Sequence, residues 1–228
     1  SVFQNAQGLS KFKGTELSKM LSGKMVSVSP FIDDLYNGIS GNSSVKDLET
    51  AFQLLYLEFT DPRFDQEEYD NATAQIKAVL PNLVNTPNFA FQKRFNKVLY
   101  NDNPRNEVLS MEKLEKANLQ TIEKNYRKLF ADAAGATMVI VGDVNLDTLK
   151  PLVEKYLGSL PKGKKAAKWA DVQPQLVKGK VVDVFDQKME TPLTTVLQVY
   201  SDYRPFTVKD QTLASAVSYI LDQIYTDT

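Results

Sequence analysis

Apolar residues recur at helical spacing through much of the chain, and most of the runs open on a residue able to cap a helix. Ser44-x-x-Asp47 starts a helix carrying Val45, Leu48, Phe52, Leu55 and Phe59 on one stripe. Its second half, Leu54-Leu55-Tyr56-Leu57, is apolar nearly all round, which predicts burial on more than one side. Asp61-Pro62 stops it. Asp65-x-x-Glu68 caps the next helix, with Tyr69, Ala72, Ile76, Val79 and Leu80 on one face. Thr86-Pro87 sets an N-cap before a proline at the first helical position, followed by Phe91, Phe95, Val98 and Leu99. Asn118 begins a helix with Leu119, Ile122, Tyr126, Leu129 and Phe130. Asn145 begins another through Leu146, Leu149, Leu152, Val153, Tyr156 and Leu157, which Gly158 and Pro161 terminate.

Other stretches read as strands. Residues 15–21 resemble the end of a helix closed by Gly23. Residues 24–32 then alternate as a strand, with residues 35–40 as hairpin partner across Asp33-Asp34. The continuous apolar run at 137–141 predicts a strand buried on both faces. Residues 181–185 and 194–200 read as two more strands. A last helix follows from Thr207-x-x-Asp210, with Leu213, Val217, Ile220, Leu221 and Ile224 in phase. This order predicts an α+β fold: a mostly antiparallel sheet with helices packed on one face, plus the opening of a second similar domain.

Residues 162–178 form a linker by composition, rich in Lys with Gly163 and Pro174. The expected organisation is therefore a domain at 1–161, a linker at 162–178 and a second, truncated unit at 179–228. The start at Ser1-Val2-Phe3 shows neither an initiator Met nor a signal-peptide pattern, and the last apolar stripe meets no stop signal, so the sequence reads as an excerpt.

Composition narrows the chemistry. Among 228 residues, 27 Lys and Arg balance 28 Asp and Glu, which argues against a phosphate-tracking nucleic-acid binder. No apolar run approaches the length of a membrane span. The chain has no Cys and no His. Thiolate nucleophiles, Ser-His-Asp triads and His- or Cys-ligated zinc are therefore excluded from this chain.

The remaining motifs carry no chemistry. Gly142-Asp143 sits at a strand-to-helix turn but lacks a glycine-rich fingerprint, and its Asp would repel phosphate. Ser-x-x-Lys occurs at Ser10/Lys13, Ser43/Lys46, Ser110/Lys113 and Ser159/Lys162, without the companion motifs of penicillin-recognising enzymes. Asp65, Glu67, Glu68 and Asp70 fall on the first turns of one helix, where acids favour the macrodipole, and Asp33-Asp34 sits in a turn. Asn42-x-Ser44 and Asn71-x-Thr73 match the glycosylation pattern, which matters only in a eukaryotic secretory host. No catalytic or metal-binding residue is assigned, and substrate-contacting residues stay unassigned.

The order of segments carries a resemblance. Val139-Ile140-Val141-Gly142-Asp143-Val144, a helix, then Tyr156-Leu157-Gly158-Ser159-Leu160-Pro161 resembles the closing βα unit of pitrilysin/insulinase-type zinc metallopeptidases. Leu21-Ser22-Gly23-Lys24 through Asp61-Pro62-Arg63-Phe64-Asp65, and Leu99-Tyr100 through Pro104-Arg105, resemble the third domain of their large bacterial members. The resemblance implies two clam-shell halves of two α+β domains each, with the zinc motif His-x-x-Glu-His in the first half. Without His, this chain matches the second, non-catalytic half. It implies a part that encloses and supports peptide substrate without catalysis of its own. Zinc is expected in the parent protein and none on this chain. The implied partners are the catalytic half, in the same chain or a paired subunit, and the peptide substrate, with no nucleic acid. A bacterial periplasmic or cell-envelope location is implied as well. The alternative is a catalytically inactive homologue acting as scaffold or assembly subunit, and a degraded zinc motif upstream would mark it.

Overall fold

The computed structural model describes residues 7–33, 36–130, 132–163, 170–172, 174–189, 192–201 and 205–226. These fall into two compact units, Ser1–Gln187 and Lys188–Thr228.

The first unit begins with β1 (Gly8–Leu9) and α1 (Gly14–Met20), followed by the hairpin strands β2 (Val26–Ile32) and β3 (Asn37–Ser43). The hairpin is antiparallel, with Val26 opposite Ser43 and Ile32 opposite Asn37. Asp34 and Leu35, expected in its turn and partner strand, lie outside the described residues. Gly38 faces Phe31 across the pair, and a Cβ there would come within 2.9 Å of the Phe31 ring. The missing side chain thus lets the ring lie over the neighbouring backbone.

Ser44 Oγ accepts from Asp47 N at 3.2 Å and opens a short 3-10 turn, Val45–Asp47, that runs into α2 (Leu48–Thr60). α2 packs under the hairpin. Phe52 and Leu54 are buried along it, as the all-round apolar pattern requires. β4 (Pro62–Arg63) pairs antiparallel with β1. Asp65 caps α3 (Gln66–Val84), which runs on through Pro81, and Thr86 Oγ1 caps α4 (Pro87–Leu99). Asn118 caps α6 (Leu119–Leu129) and Asn145 caps α7 (Leu146–Leu152), as their sequences predict. A short helix that the apolar pattern did not announce, α5 (Met111–Lys116), starts where Ser110 Oγ accepts from Lys113 N.

α7 continues into a π turn, Val153–Leu157, just after Pro151, which has no N–H for the helical ladder. That turn brings Tyr156 against Phe52, with ring centroids 6.2 Å apart, and its hydroxyl donates to Glu49 Oε1 at 2.9 Å. The core of the unit runs on through aromatic contacts. Phe59 meets Phe130 edge-on, Phe130 lies 4.6 Å from Tyr126, and Tyr126 meets Phe64 at 5.3 Å.

The sheet is smaller than the sequence predicts. Residues 137–141, expected as a strand buried on both faces, pair with no strand among the described residues. Val139 is 78% and Val141 91% exposed. Residues 181–185 and 194–200 likewise form no ladder among the described residues. A strand is defined by its partner, because its N–H and C=O groups bond sideways to a neighbouring chain. Apolar alternation specifies a willing strand but supplies no neighbour. The fold is mixed α and β, with two small antiparallel pairs among the described residues where a single larger sheet was expected.

Residues 177–187 close the first unit along α4. Val177 N donates to Leu99 O at 2.9 Å, Arg94 grips Asp183 through two bonds of 2.7 Å, and Phe185 stacks on Phe91. The second unit holds α8 (Val208–Thr226), opened by the expected Thr207–Asp210 box. Asp210 N donates to Thr207 Oγ1 at 3.0 Å. Leu213, Val217, Ile220 and Ile224 are exposed on it.

Candidate functional site

The acidic residues singled out by sequence are tied into the scaffold. Asp65 Oδ1 accepts from Glu67 N at 3.1 Å and Glu68 N at 3.3 Å, the two donors its N-cap position offers. Its other oxygen takes Arg63 at 2.9 Å, and that bond holds the Asp65 carboxyl below its ordinary range. Glu67 pairs with Lys13, whose ammonium it raises, and Asp70 Oδ1 accepts from Gln66. Glu68 is buried and reaches back across 54 residues of sequence. Its Oε2 accepts from Gly14 N at 2.9 Å, and its Oε1 from Thr15 N at 3.0 Å and Thr15 Oγ1 at 3.1 Å. A side chain on the first turn of α3 therefore satisfies the free amides at the start of α1.

Asp47 plays the same part for the hairpin. Its Oδ2 accepts from Ser44 Oγ at 2.8 Å and from Met25 N at 2.9 Å, and these bonds lower its carboxyl. Asp33 N donates to Tyr36 O in the hairpin connection. Gly142 adopts φ 152°, in an exposed bend where Val144 N donates back to Gly142 O. Of the Ser-x-x-Lys pairs, Ser110 is a helix cap and Ser159 Oγ donates to Lys155 O. Local hydrogen bonding accounts for both.

The group that sequence reasoning missed is Glu58. It is 5% exposed, on the apolar second half of α2. Its Oε2 accepts from the Tyr126 hydroxyl at 2.7 Å and from Gln7 Nε2 at 2.9 Å. Burial pushes this carboxyl up to about 7, against the smaller opposing effect of its two hydrogen bonds. Burial also raises the Tyr126 phenol, and the nearby Glu58 charge adds to it. The signal was legible: a lone acid among Leu54, Leu55, Tyr56, Leu57 and Phe59 has no solvated face to occupy.

Among the described residues no three acidic side chains converge on one point, and the sequence offers neither His nor Cys. The donor set present does not fit a zinc ion. No described helix is long and apolar enough to cross a membrane. What the geometry defines is a scaffold whose polar interior fixes helix ends, strands and loops.

That scaffold is shared with peptidases. Residues 116–224 match the family model of the Peptidase M16 inactive domain, from the end of α5 through the Lys-rich stretch into α8. An Arabidopsis thaliana protein described as zinc protease PQQL-like is 29% identical over 117 residues, 51% of this chain and 12% of that protein. The periplasmic protease PqqL from Escherichia coli superposes with a TM-score of 0.60 at 21% identity, over 77% of this chain and 19% of that one. A mutant of the ferredoxin protease FusC, in complex with Arabidopsis ferredoxin, gives 0.59 at 19% identity, again over 77% and 19%. A Helicobacter pylori protease gives 0.54 at 16%, covering 77% of this chain and 43% of its own. These matches support the assignment read from the sequence: a non-catalytic domain of the M16, or pitrilysin/insulinase-type, metallopeptidase family. The chain spans about 12% of the length of the curated relative it matches.

Proposed function

We propose that this chain is the non-catalytic, substrate-enclosing part of a zinc metalloendopeptidase. The observation that carries the reading is the match of residues 116–224 to an M16 inactive domain, in a chain with neither His nor Cys. In this reading residues 1–161 are most of one α+β domain and residues 179–228 open a second, related one, joined by the Lys-rich stretch 162–178. Helices packed on one face of a larger sheet complete each domain in the parent. Zinc and the general base belong to a catalytic half, in the same chain or in a paired subunit. This chain contributes the opposing wall of the chamber, and its rigidity comes from the carboxylate ties described above. Polypeptide is the substrate class, a reading supported by the ferredoxin complex of the FusC mutant. A periplasmic or envelope location is supported by the description of PqqL.

Two measurements test this. The parent sequence before Ser1 should contain His-x-x-Glu-His; a degraded motif there would replace the enzyme reading with a scaffold role. By equilibrium dialysis at neutral pH, the 228-residue chain alone should hold no stoichiometric zinc, and one tightly bound ion per chain would refute the non-catalytic assignment.

A further inference from the structure

Residues 7–13 lie over the end of α2 as a strap. Gly8 pairs with Arg63 and Leu9 with Pro62, and Ser10 N donates to Asp61 O at 2.8 Å. Leu9, within the strap, is buried. Ser10 sits at φ 54°, a left-handed conformation that a serine keeps only while contacts on either side hold it. The Gln7 side chain, half-buried, ends on the Glu58 carboxyl.

We propose that Glu58 is a proton-controlled latch for this strap: the neutral carboxyl holds residues 7–10 on α2, and the ionised carboxylate favours their release, which admits water to the charge. Apart from the proposed peptidase role, this inference rests only on the groups around Glu58. From α6 come Tyr126, a neutral donor, and Arg127, whose guanidinium is engaged by Glu123 and Pro62 O. From β4 comes Arg63, committed to Asp65, with Asp61 just before it. β1, β2 and β3 contain no titratable side chain. Glu68, on α3, is spent on Gly14 and Thr15. At the far end of α2, Lys155 and Tyr156 engage Glu49, while Asp47 binds Ser44 and Met25 and faces Lys24. Among the described residues, the donors on the Glu58 carboxyl are therefore neutral, and its charge has no partner cation there.

The strap is the side that yields. Tyr126 is locked between Phe64 and Phe130, whereas residues 7–10 are held by a two-residue strand pair, the Ser10 N–H bond to Asp61 O, the buried Leu9 side chain and the Gln7 amide. Its sign follows from linkage. The closed state keeps the Glu58 proton to about pH 7, whereas a hydrated carboxyl loses it near 4.5. The closed state is therefore fully favoured below 4.5 and loses that advantage as pH rises to about 7. The opening constant rises about tenfold per pH unit across this window, roughly 300-fold in all, then levels off.

The test is backbone hydrogen exchange at Leu9 and Ser10 in the 228-residue chain, corrected for the intrinsic pH dependence of exchange. Protection should fall about 40-fold from pH 5 to pH 7 and flatten above about pH 8, while α6 amides hold theirs. Glu58→Gln, uncharged and of the same shape, should give a flat profile. Tyr126→Phe removes a bond that favours the charged form and should move the transition to higher pH. A flat wild-type profile, an unchanged slope in Glu58→Gln, or an equal loss in α6 overturns the latch. If Glu58→Gln does not fold, the wild-type and Tyr126→Phe profiles decide the matter.

Discussion

Glu68 offers the sharpest test of the scaffold. Its carboxylate accepts three bonds from Gly14 and Thr15 at 2.9–3.1 Å, so it both caps α1 and pins it to α3. In Glu68→Ala the three donors lose their acceptor together. Thr15 is exposed and water replaces its bonds, but Gly14 is buried and its N–H is stranded. One stranded buried donor costs about 1–3 kcal/mol, and the lost anion at a helix N-terminus adds about 0.5 kcal/mol. Glu68→Ala should therefore destabilise by about 2–3 kcal/mol. Glu68→Gln keeps the shape and one accepting oxygen, and should lose about 1 kcal/mol. Urea unfolding followed by far-ultraviolet circular dichroism reads both, the Ala midpoint falling by roughly 1 M for a typical slope. Hydrogen exchange at Leu17 and Ser18 should accelerate in both variants. A Glu68→Ala chain within about 0.5 kcal/mol of wild type would refute the argument, since that is the range of an ordinary surface substitution.

Phe130 is 2% exposed and packs on Tyr126 and Phe59, so Phe130→Ala should cost about 3–5 kcal/mol in the same unfolding assay. Asp65, held below its ordinary 3.8 first by Arg63, supplies stability above that value and loses it as pH falls through its lowered folded value. Asp65→Asn should flatten the acid limb of a thermal-midpoint profile below about pH 4, and an unchanged limb would count against the clasp.

The helices were legible because their signals are local. Caps at Ser44, Asp65, Thr86, Asn118 and Asn145 lie within three residues of the amides they satisfy, and each forms in the structure. α5 was overlooked because its apolar content is too short to show a period, although Ser110 announces its start. The exclusion of thiol and imidazole chemistry was legible for a different reason: residues that are not in the chain cannot act in it.

Residue types and their spacing alone determined most helix starts, the hairpin and the exclusion of thiol chemistry, imidazole chemistry and His- or Cys-ligated zinc. The tertiary structure decided which acids matter. Glu67, Glu68 and Asp70 look alike in sequence, yet Glu68 is buried against a helix 54 residues earlier, Glu67 pairs with Lys13 at the surface, and Asp70 meets only its own helix. It also decided that residues 137–141 form no ladder among the described residues, since pairing depends on a neighbour that no local pattern names. Glu58 combines both. The apolar run around it places an acid indoors, but only packing against Tyr126 and Gln7 fixes what its proton controls, because desolvation and hydrogen bonding depend on distance in space rather than along the chain.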